Sequence, residues 1–334
     1  SGRIFLISKN FPGRARTTVH KISNKTGDWG DYLRSAVAAL HHADYELQVG
    51  FKGVIEGTLP IGGLSSSAAI IILYLRALCD LNNIKLDRDQ LVALAHYAEA
   101  VYIGLNNGIL DQSCEVYSKK DGLLFLDTRD SSYKVIPQPK RMPHYEFAIV
   151  FSGVEHALIN SAYNSRVDEC KAAAYALKAY AGMPYDKVAD SVLGDIAPEI
   201  YEKYKKKLPH NWQKRAEHFY SEVERVRQGV EAWRKGDLHA FGQLVFASGD
   251  SSINNYESGS PELKKLHEIA RHTDGIYGGR FSGAGFKGCY MAIIDPRYEQ
   301  KVARAFQEEY LEAFPELAPR FSVHFSHSAD GVKL

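Results

Sequence analysis

Residues 59–69 read "LPIGGLSSSAA" and run without a break into Ile70-Ile71-Ile72-Leu73-Tyr74-Leu75. How this junction is read decides the fold. A serine run is usually a linker, but a linker does not open directly onto a strongly apolar run. Read instead as a helix start, the stretch has a mechanism at each position. Gly62 and Gly63 lack a β-carbon, so the chain can turn tightly and bring its backbone close to a ligand. Ser65, Ser66 and Ser67 then supply hydroxyls and backbone amides at the N-terminus of a helix over 65–82. Unpaired amides and the positive end of the helix dipole suit a phosphate there. A plain helix cap accounts for serines in this place as well. A Walker loop is excluded, because no lysine follows the glycines.

The rest of the chain sets limits on this site. With 334 residues there is room for two domains that each bury a core without disulfides or metal. A composition of 45% hydrophobic and 24% charged residues is that of an ordinary soluble globular protein. The formal net charge of +1 gives no global field toward nucleic acid or an anionic membrane, and no stretch is long and apolar enough for a membrane helix or signal core. The expected compartment is the cytoplasm. Cys79, Cys114, Cys170 and Cys289 are widely spaced, which argues against zinc or a disulfide framework and for buried free thiols.

Strands are predicted at 3–8, 45–54, 122–127, 145–153, 289–295 and "FSVHFS" (321–326), from β-branched and aromatic residues in alternation. Helices are predicted over 31–43, 65–82, 87–105, 157–181, 238–248 and 297–311. Ala216, Phe219, Val223, Val226, Val230 and Trp233 recur at spacings of three and four, the apolar face of a further helix. The Pro-rich "IPQPKRMP" (136–143) marks a seam, giving domains at 1–141 and 142–334. Mixed elements in both halves favour α/β or α+β layers.

Two more clusters accompany the serines. In "GLNNGILDQ" (104–112), Asp111 stands in an apolar, amide-rich setting, and Glu99 lies twelve residues earlier among apolar neighbours. Carboxylates so placed call for a partner, such as a metal ion or a substrate hydroxyl. A helix-surface charge and a cap are the plainer readings of the two. "RFSGAGFKGC" (280–289) is either a second loop folded on phosphate or a tight turn before a strand.

Taken together, "GLSSSAA" (63–69), "NGILDQ" (107–112), "SAYNSRVDEC" (161–170), "KRAEHFYSEVERV" (214–226), "GIYGGRFSGAGFKGC" (275–289) and the terminal "SADGVK" resemble, in order, the GHMP small-molecule kinases of the galactokinase branch. The resemblance implies an α+β two-domain GHMP kinase fold. Its first domain would be a ribosomal-S5-domain-2-like α/β domain that binds ATP, and its second a ferredoxin-like α+β domain. It also implies ATP and Mg²⁺ as cofactors, a small sugar or uronic acid as partner substrate, and a monomer or homodimer.

Residue by residue, the resemblance puts the triphosphate on Gly62, Gly63, Leu64, Ser65, Ser66 and Ser67, with Gly283 and Gly285 in the second loop. Ser67 and Glu99 would hold the Mg²⁺. Asp111 would face the anomeric hydroxyl as catalytic residue, with Asn107, Gly108 and Tyr163 at the sugar. Trp29 and Tyr32 match a W-x-x-Y near the adenine, although core packing explains all three aromatics too. Asn107 and the run Phe286-Lys287-Gly288 depart from ordinary galactokinases. With "FASGDSSINNYESG" (246–259) they look more like the galacturonokinases, and Lys287 is then a cation for the substrate carboxylate. Galactose, or a galactokinase-like sensor that binds without turnover, are the alternatives. The Gly-Glu-His-Thr-Asp segment of the family has no counterpart here, so the sequence is expected to start inside the first domain. Arg14 of "FPGRAR" (11–16) is read as a surface turn residue.

Overall fold

The computed structural model describes residues 2–59, 62–105, 107–154, 160–185, 187–283, 285 and 288–334, with the helical backbone alone at 160–163. The chain forms two compact units, Ser1–Ile61 with Ser65–Pro137 and Ser328–Leu334, and Gly62–Leu64 with Gln138–His327.

The first unit begins with β1 (Arg3–Ser8), β2 (Arg14–Thr18), α1 (Asp31–His42) and β3 (Lys52–Ile55). The three strands form one sheet in the order β2-β1-β3, antiparallel on one side of β1 and parallel on the other. Arg14 is exposed, but it opens a strand and not a turn. Only the end of the strand predicted at 45–54 is a strand. Asn82 explains the shortfall, because its side chain takes the Gln48 and Val49 amides at 2.7 and 2.8 Å and donates to the Val49 carbonyl at 3.0 Å. A side chain thus stands where a neighbouring strand would be.

Next come α2 (Ser66–Leu81), α3 (Arg88–Tyr97), α4 (Leu110–Tyr117), β4 (Gly122–Asp127) and β5 (Ser132–Pro137), the last two a separate antiparallel hairpin. α3 starts as its sequence asks, in a capping box between Asp87 and Gln90. It does not continue as an α-helix to 105: Ala98–Ile103 winds as a π-helix that ends at Gly104, with φ 87°. Leu33, Ala36, Val37 and Leu40 of α1 and Ile71, Leu75 and Leu78 of α2 are fully buried in one core. Burying a Leu or Ile contributes about 1.5–3 kcal/mol each, so this pairing fixes the helix that follows the serines. Linker is therefore the wrong reading of 65–67.

The second unit carries β6 (Glu146–Phe151), α5 (Asn160–Tyr180), α6 (Pro198–Tyr204), α7 (His210–Arg234), α8 (Leu238–Asn254), α9 (Pro261–His272), β7 (Ile276–Phe281), β8 (Cys289–Ile294), α10 (Glu299–Ala313) and β9 (Ser322–Ser326). Its sheet runs β7-β8-β6-β9, antiparallel throughout. Leu266 and Ile269 of α9 and Phe306 and Tyr310 of α10 pack on Ala148, Val150, Tyr290 and Ala292 of that sheet. β7 is absent from the sequence reading, because Gly278 and Gly279 read as turn residues. They serve close approach instead: a β-carbon on Gly278 would stand 2.1 Å from the Gly242 carbonyl oxygen of α8. On α7 the predicted face is partly right. Ala216, Val230 and Trp233 are buried, whereas Val226 is 50% exposed and Arg215 is buried in full.

Candidate active site

In the first unit Ser65 is the N-cap of α2, in the left-handed region at φ 55°, and its hydroxyl makes no capping hydrogen bond. The cap reading thus holds for position but not for bonding. The first helical bond runs from the Ala69 amide to the Ser65 carbonyl, at 3.2 Å, so the amides of Ser66, Ser67 and Ala68 have no partner within the helix. Ser67 turns its hydroxyl inward and donates to Glu99 Oε1.

Glu99 is no surface charge, being 2% exposed. The π-turn carries it inward, and its backbone carbonyl accepts from the Gly104 and Leu105 amides at 3.1 Å each. Besides Ser67, its carboxylate accepts from Gln112 Nε2 at 2.5 Å and Asn107 Nδ2 at 3.0 Å. Asn107, expected at the sugar, therefore has its amide nitrogen on Glu99. Its backbone carbonyl meets His96 Nε2 at 3.1 Å. Gln112 was not singled out from the sequence, though it directly follows Asp111 in the motif.

Asp111 lies in the first turn of α4, half-buried. It is not the cap, which is Ile109, and among the described residues no hydrogen bond or ion pair reaches its carboxylate. Gly108 before it is exposed, with open space around it. One turn further along α4, Glu115 has a buried Oε2 with no partner. Burial first, then the charges of Asp111 and Glu99, push its carboxyl up to about 8. Burial and the same Glu99 charge also raise Tyr32 above the usual phenol range. Trp29 rests partly buried against the core of this unit and donates its indole N–H to the Pro12 carbonyl at 3.0 Å.

A Mg²⁺ ion suits the Ser67–Glu99 pair on donor chemistry. Hydroxyl and carboxylate are hard oxygen donors, and Mg²⁺ commonly keeps only one or two protein ligands beside waters and phosphate oxygens. Asn107 Oδ1 and Gln112 Oε1, on the two amides that bond Glu99, are buried acceptors without partners. Among the described residues no group of three or more His, Cys, Asp and Glu could hold a metal by itself.

In the second unit, Gly62–Leu64 packs on the turn before β8. A β-carbon on Gly63 would lie 2.8 Å from the Cys289 nitrogen, and one on Gly288 2.8 Å from the Gly62 carbonyl oxygen. Gly63 and Gly288 also have φ 72° and 92°. Two glycine loops read separately in the sequence are thus backbone against backbone, a contact only glycine allows. Cys289 donates its thiol to the Gly62 carbonyl at 3.2 Å, and burial pushes that thiol up to about 12. Leu64 packs beside Ile149, Phe151 and Cys289. Gly283 is open at φ 63°, while Gly285, at φ 76°, sits on the Phe281 ring. Lys287 and the Tyr163 side chain lie outside the described residues. The four described cysteines are free, with Cys79 and Cys289 buried, Cys170 intermediate and Cys114 exposed, contrary to the uniform expectation.

With this geometry in hand, comparison with known proteins gives the class. Residues 31–119 match the family model for the GHMP kinases N terminal domain, and residues 230–312 that for GHMP kinases C terminal. The chain is 38% identical over 299 residues to the galacturonokinase of Arabidopsis thaliana, covering 89% of this chain and 70% of that one. It is 31% identical over 318 residues to the galactokinase of Roseiflexus sp. (strain RS-1), covering 94% and 78%. The crystal structure of Lactococcus lactis galactokinase complexed with galactose superposes with a TM-score of 0.87 at 29% identity, over 100% of this chain and 84% of that one. The chain belongs to the GHMP kinases, with their two-domain fold. Within them it is an ATP-dependent sugar kinase of the branch that holds the galactokinases and galacturonokinase. Among the described residues no helix is long and apolar enough to cross a membrane.

Proposed function

We propose that this kinase transfers the γ-phosphoryl group of ATP to the anomeric hydroxyl of D-galacturonate, giving galacturonate 1-phosphate. The observation that carries the phosphoryl-transfer reading is Ser67 hydrogen-bonded to the buried Glu99 at the open N-terminus of α2. Phosphoryl transfer depends chiefly on positioning and on neutralising charge. The triphosphate is assigned to Gly62–Ser67 and to the turn holding Gly283 and Gly285, where backbone amides and the dipole of α2 favour anions. Ser67 and Glu99 would hold Mg²⁺, which when bound neutralises phosphate charge. Gln112 and Asn107 orient Glu99 by donating to Oε2. Asp111 carries no competing bond among the described residues, so its carboxylate is free to accept or orient the sugar hydroxyl's proton, worth about 10²–10⁴ in rate. Trp29 is assigned to the adenine and Tyr163 to the sugar.

Galacturonate as substrate is supported by the Arabidopsis thaliana relative and by Asn107 and Lys287 in place of the usual galactokinase residues. Galactose is the second reading, supported by the galactokinases at 31% identity and by the galactose-bound structure. A coupled ADP-release assay over galacturonate, glucuronate, galactose and arabinose separates them. Turnover is expected to be at least tenfold faster with galacturonate, a preference of about 1.4 kcal/mol. Faster turnover with galactose would replace the first reading by the second.

A further inference from the structure

Arg215 and Lys214 of α7 have no part in the chemistry above. A guanidinium removed from water needs every donor met, and Arg215 is fully buried. Its Nε donates to Glu169 Oε2 of α5 at 2.5 Å, its Nη2 to Glu257 Oε2 at 2.7 Å, and its Nη1 to the Asn255 carbonyl. Lys214 donates to the other oxygen of Glu257 at 2.7 Å. From α5, Arg166 Nε donates to the Tyr256 carbonyl at 2.9 Å, and its Nη2 lies 3.5 Å from the Glu257 carbonyl. Three consecutive carbonyls and one carboxylate of the 255–257 loop are thus held by cations.

That loop is bent where it is held. Glu257 has φ 55°, a conformation that persists in a non-glycine residue when its surroundings over-determine it. Hydrogen bonds from Lys214 and then Arg215 hold its carboxyl down to about 2, so it stays an anion across the working range of pH. Beyond the bend, the Ser258 amide and hydroxyl both donate to the Ser252 carbonyl, at 3.0 and 3.1 Å. The Ser260 amide then donates to the Gly285 carbonyl at 3.0 Å. Gly259 and Gly285 abut the same Phe281 ring, and Gly288, just before β8, touches Gly62 and Gly63.

We infer that Arg215 and Glu257 are positioning residues for nucleotide binding: the ionic clamp on 255–257 fixes Gly285 and the Phe281 ring, and through the Ser282 amide, which donates to the Cys289 carbonyl at 2.9 Å, the seat of Gly62 and Gly63. The inference rests on the assignment of these glycine loops to ATP phosphates. It is tested by titrating MgATP into the Glu257→Gln and Gly63→Ala variants by calorimetry, with thermal unfolding recorded on each. Glu257→Gln is expected to weaken ATP about tenfold, the effect of losing one charge-assisted hydrogen bond, while the protein remains cooperatively folded at the titration temperature. A lowered unfolding temperature with ATP affinity within about twofold of the parent means a structural role only, and overturns the proposal. Gly63→Ala separates the two levels. Should it weaken ATP while Glu257→Gln does not, the loop assignment stands and the clamp falls; should Gly63→Ala leave affinity unchanged, both fall. If Glu257→Gln does not fold, Lys214→Gln removes one of the two short bonds to the same carboxylate from a partly exposed side chain. About threefold weaker binding then supports the clamp, and unchanged affinity rejects it.

Discussion

The carboxylate pocket of the first unit and the glycine contact of the second are built on opposite principles. Around Glu99, three side chains converge on two oxygens, and the arrangement is made by atoms that are present. At Gly62, Gly63 and Gly288 two backbones meet, and the arrangement is made possible by atoms that are missing. The first kind of site is disarmed by exchanging one oxygen for nitrogen with no change of shape. The second is disarmed by adding one methyl group with no change of polarity.

The sharpest break of this contrast is Asp111→Asn. It keeps the volume and removes the negative charge and the basic carboxylate oxygen, so kcat is expected to fall by about 10²–10⁴ while MgATP affinity stays within about twofold. If steady-state kinetics and calorimetry showed affinity collapsing with kcat intact, the division of roles would be reversed. Gly288→Ala should act in the other direction. Its methyl would meet the Gly62 carbonyl at 2.8 Å from a left-handed backbone, a strain of about 1–3 kcal/mol. The expected reading is a KM for ATP about tenfold higher, with kcat changed less. An equal fall in kcat and kcat/KM, with KM unchanged, would show that the contact acts only in the transition state.

The smallest effect concerns stability. The folded state holds the Glu115 carboxyl at about 8, above the 4.5 of a free glutamate, so between these values the native state binds more proton than the unfolded chain. Glu115 is therefore tolerated best at the acid end of that window, and its contribution worsens as pH rises toward 8. Glu115→Gln should raise the unfolding temperature at pH 8 by a few degrees and at pH 5 by less. An equal gain at both pH values would mean that the proton has no part in it.

What could be read in advance follows the same division. Ser67, Glu99 and Asp111 are legible because their chemistry is in their side chains and their setting is apolar. The backbone contact between 62–63 and 288 is not, because a glycine does not announce whether it turns, bulges or is approached; Gly278 and Gly279 hide the strand β7 for the same reason. Arg215 escaped notice because an amphipathic pattern counts apolar residues, and a buried guanidinium satisfied by Glu169 and Glu257 sits on the wrong side of that count. The strand at 45–54 was overextended because Asn82, far along the chain, takes its hydrogen bonds.

Residues 328–334 pack with the first unit although Gln138–His327 of the second unit lie between them and Pro137. The Gly331 and Val332 amides donate to the Ser118 and Glu115 carbonyls at 2.8 Å each, closing the end of α4. During synthesis the chain is therefore threaded out and back. The helix that bears Asp111 cannot complete its packing until the second unit has left the ribosome, and its maturation is tied in time to a domain whose sequence it does not share.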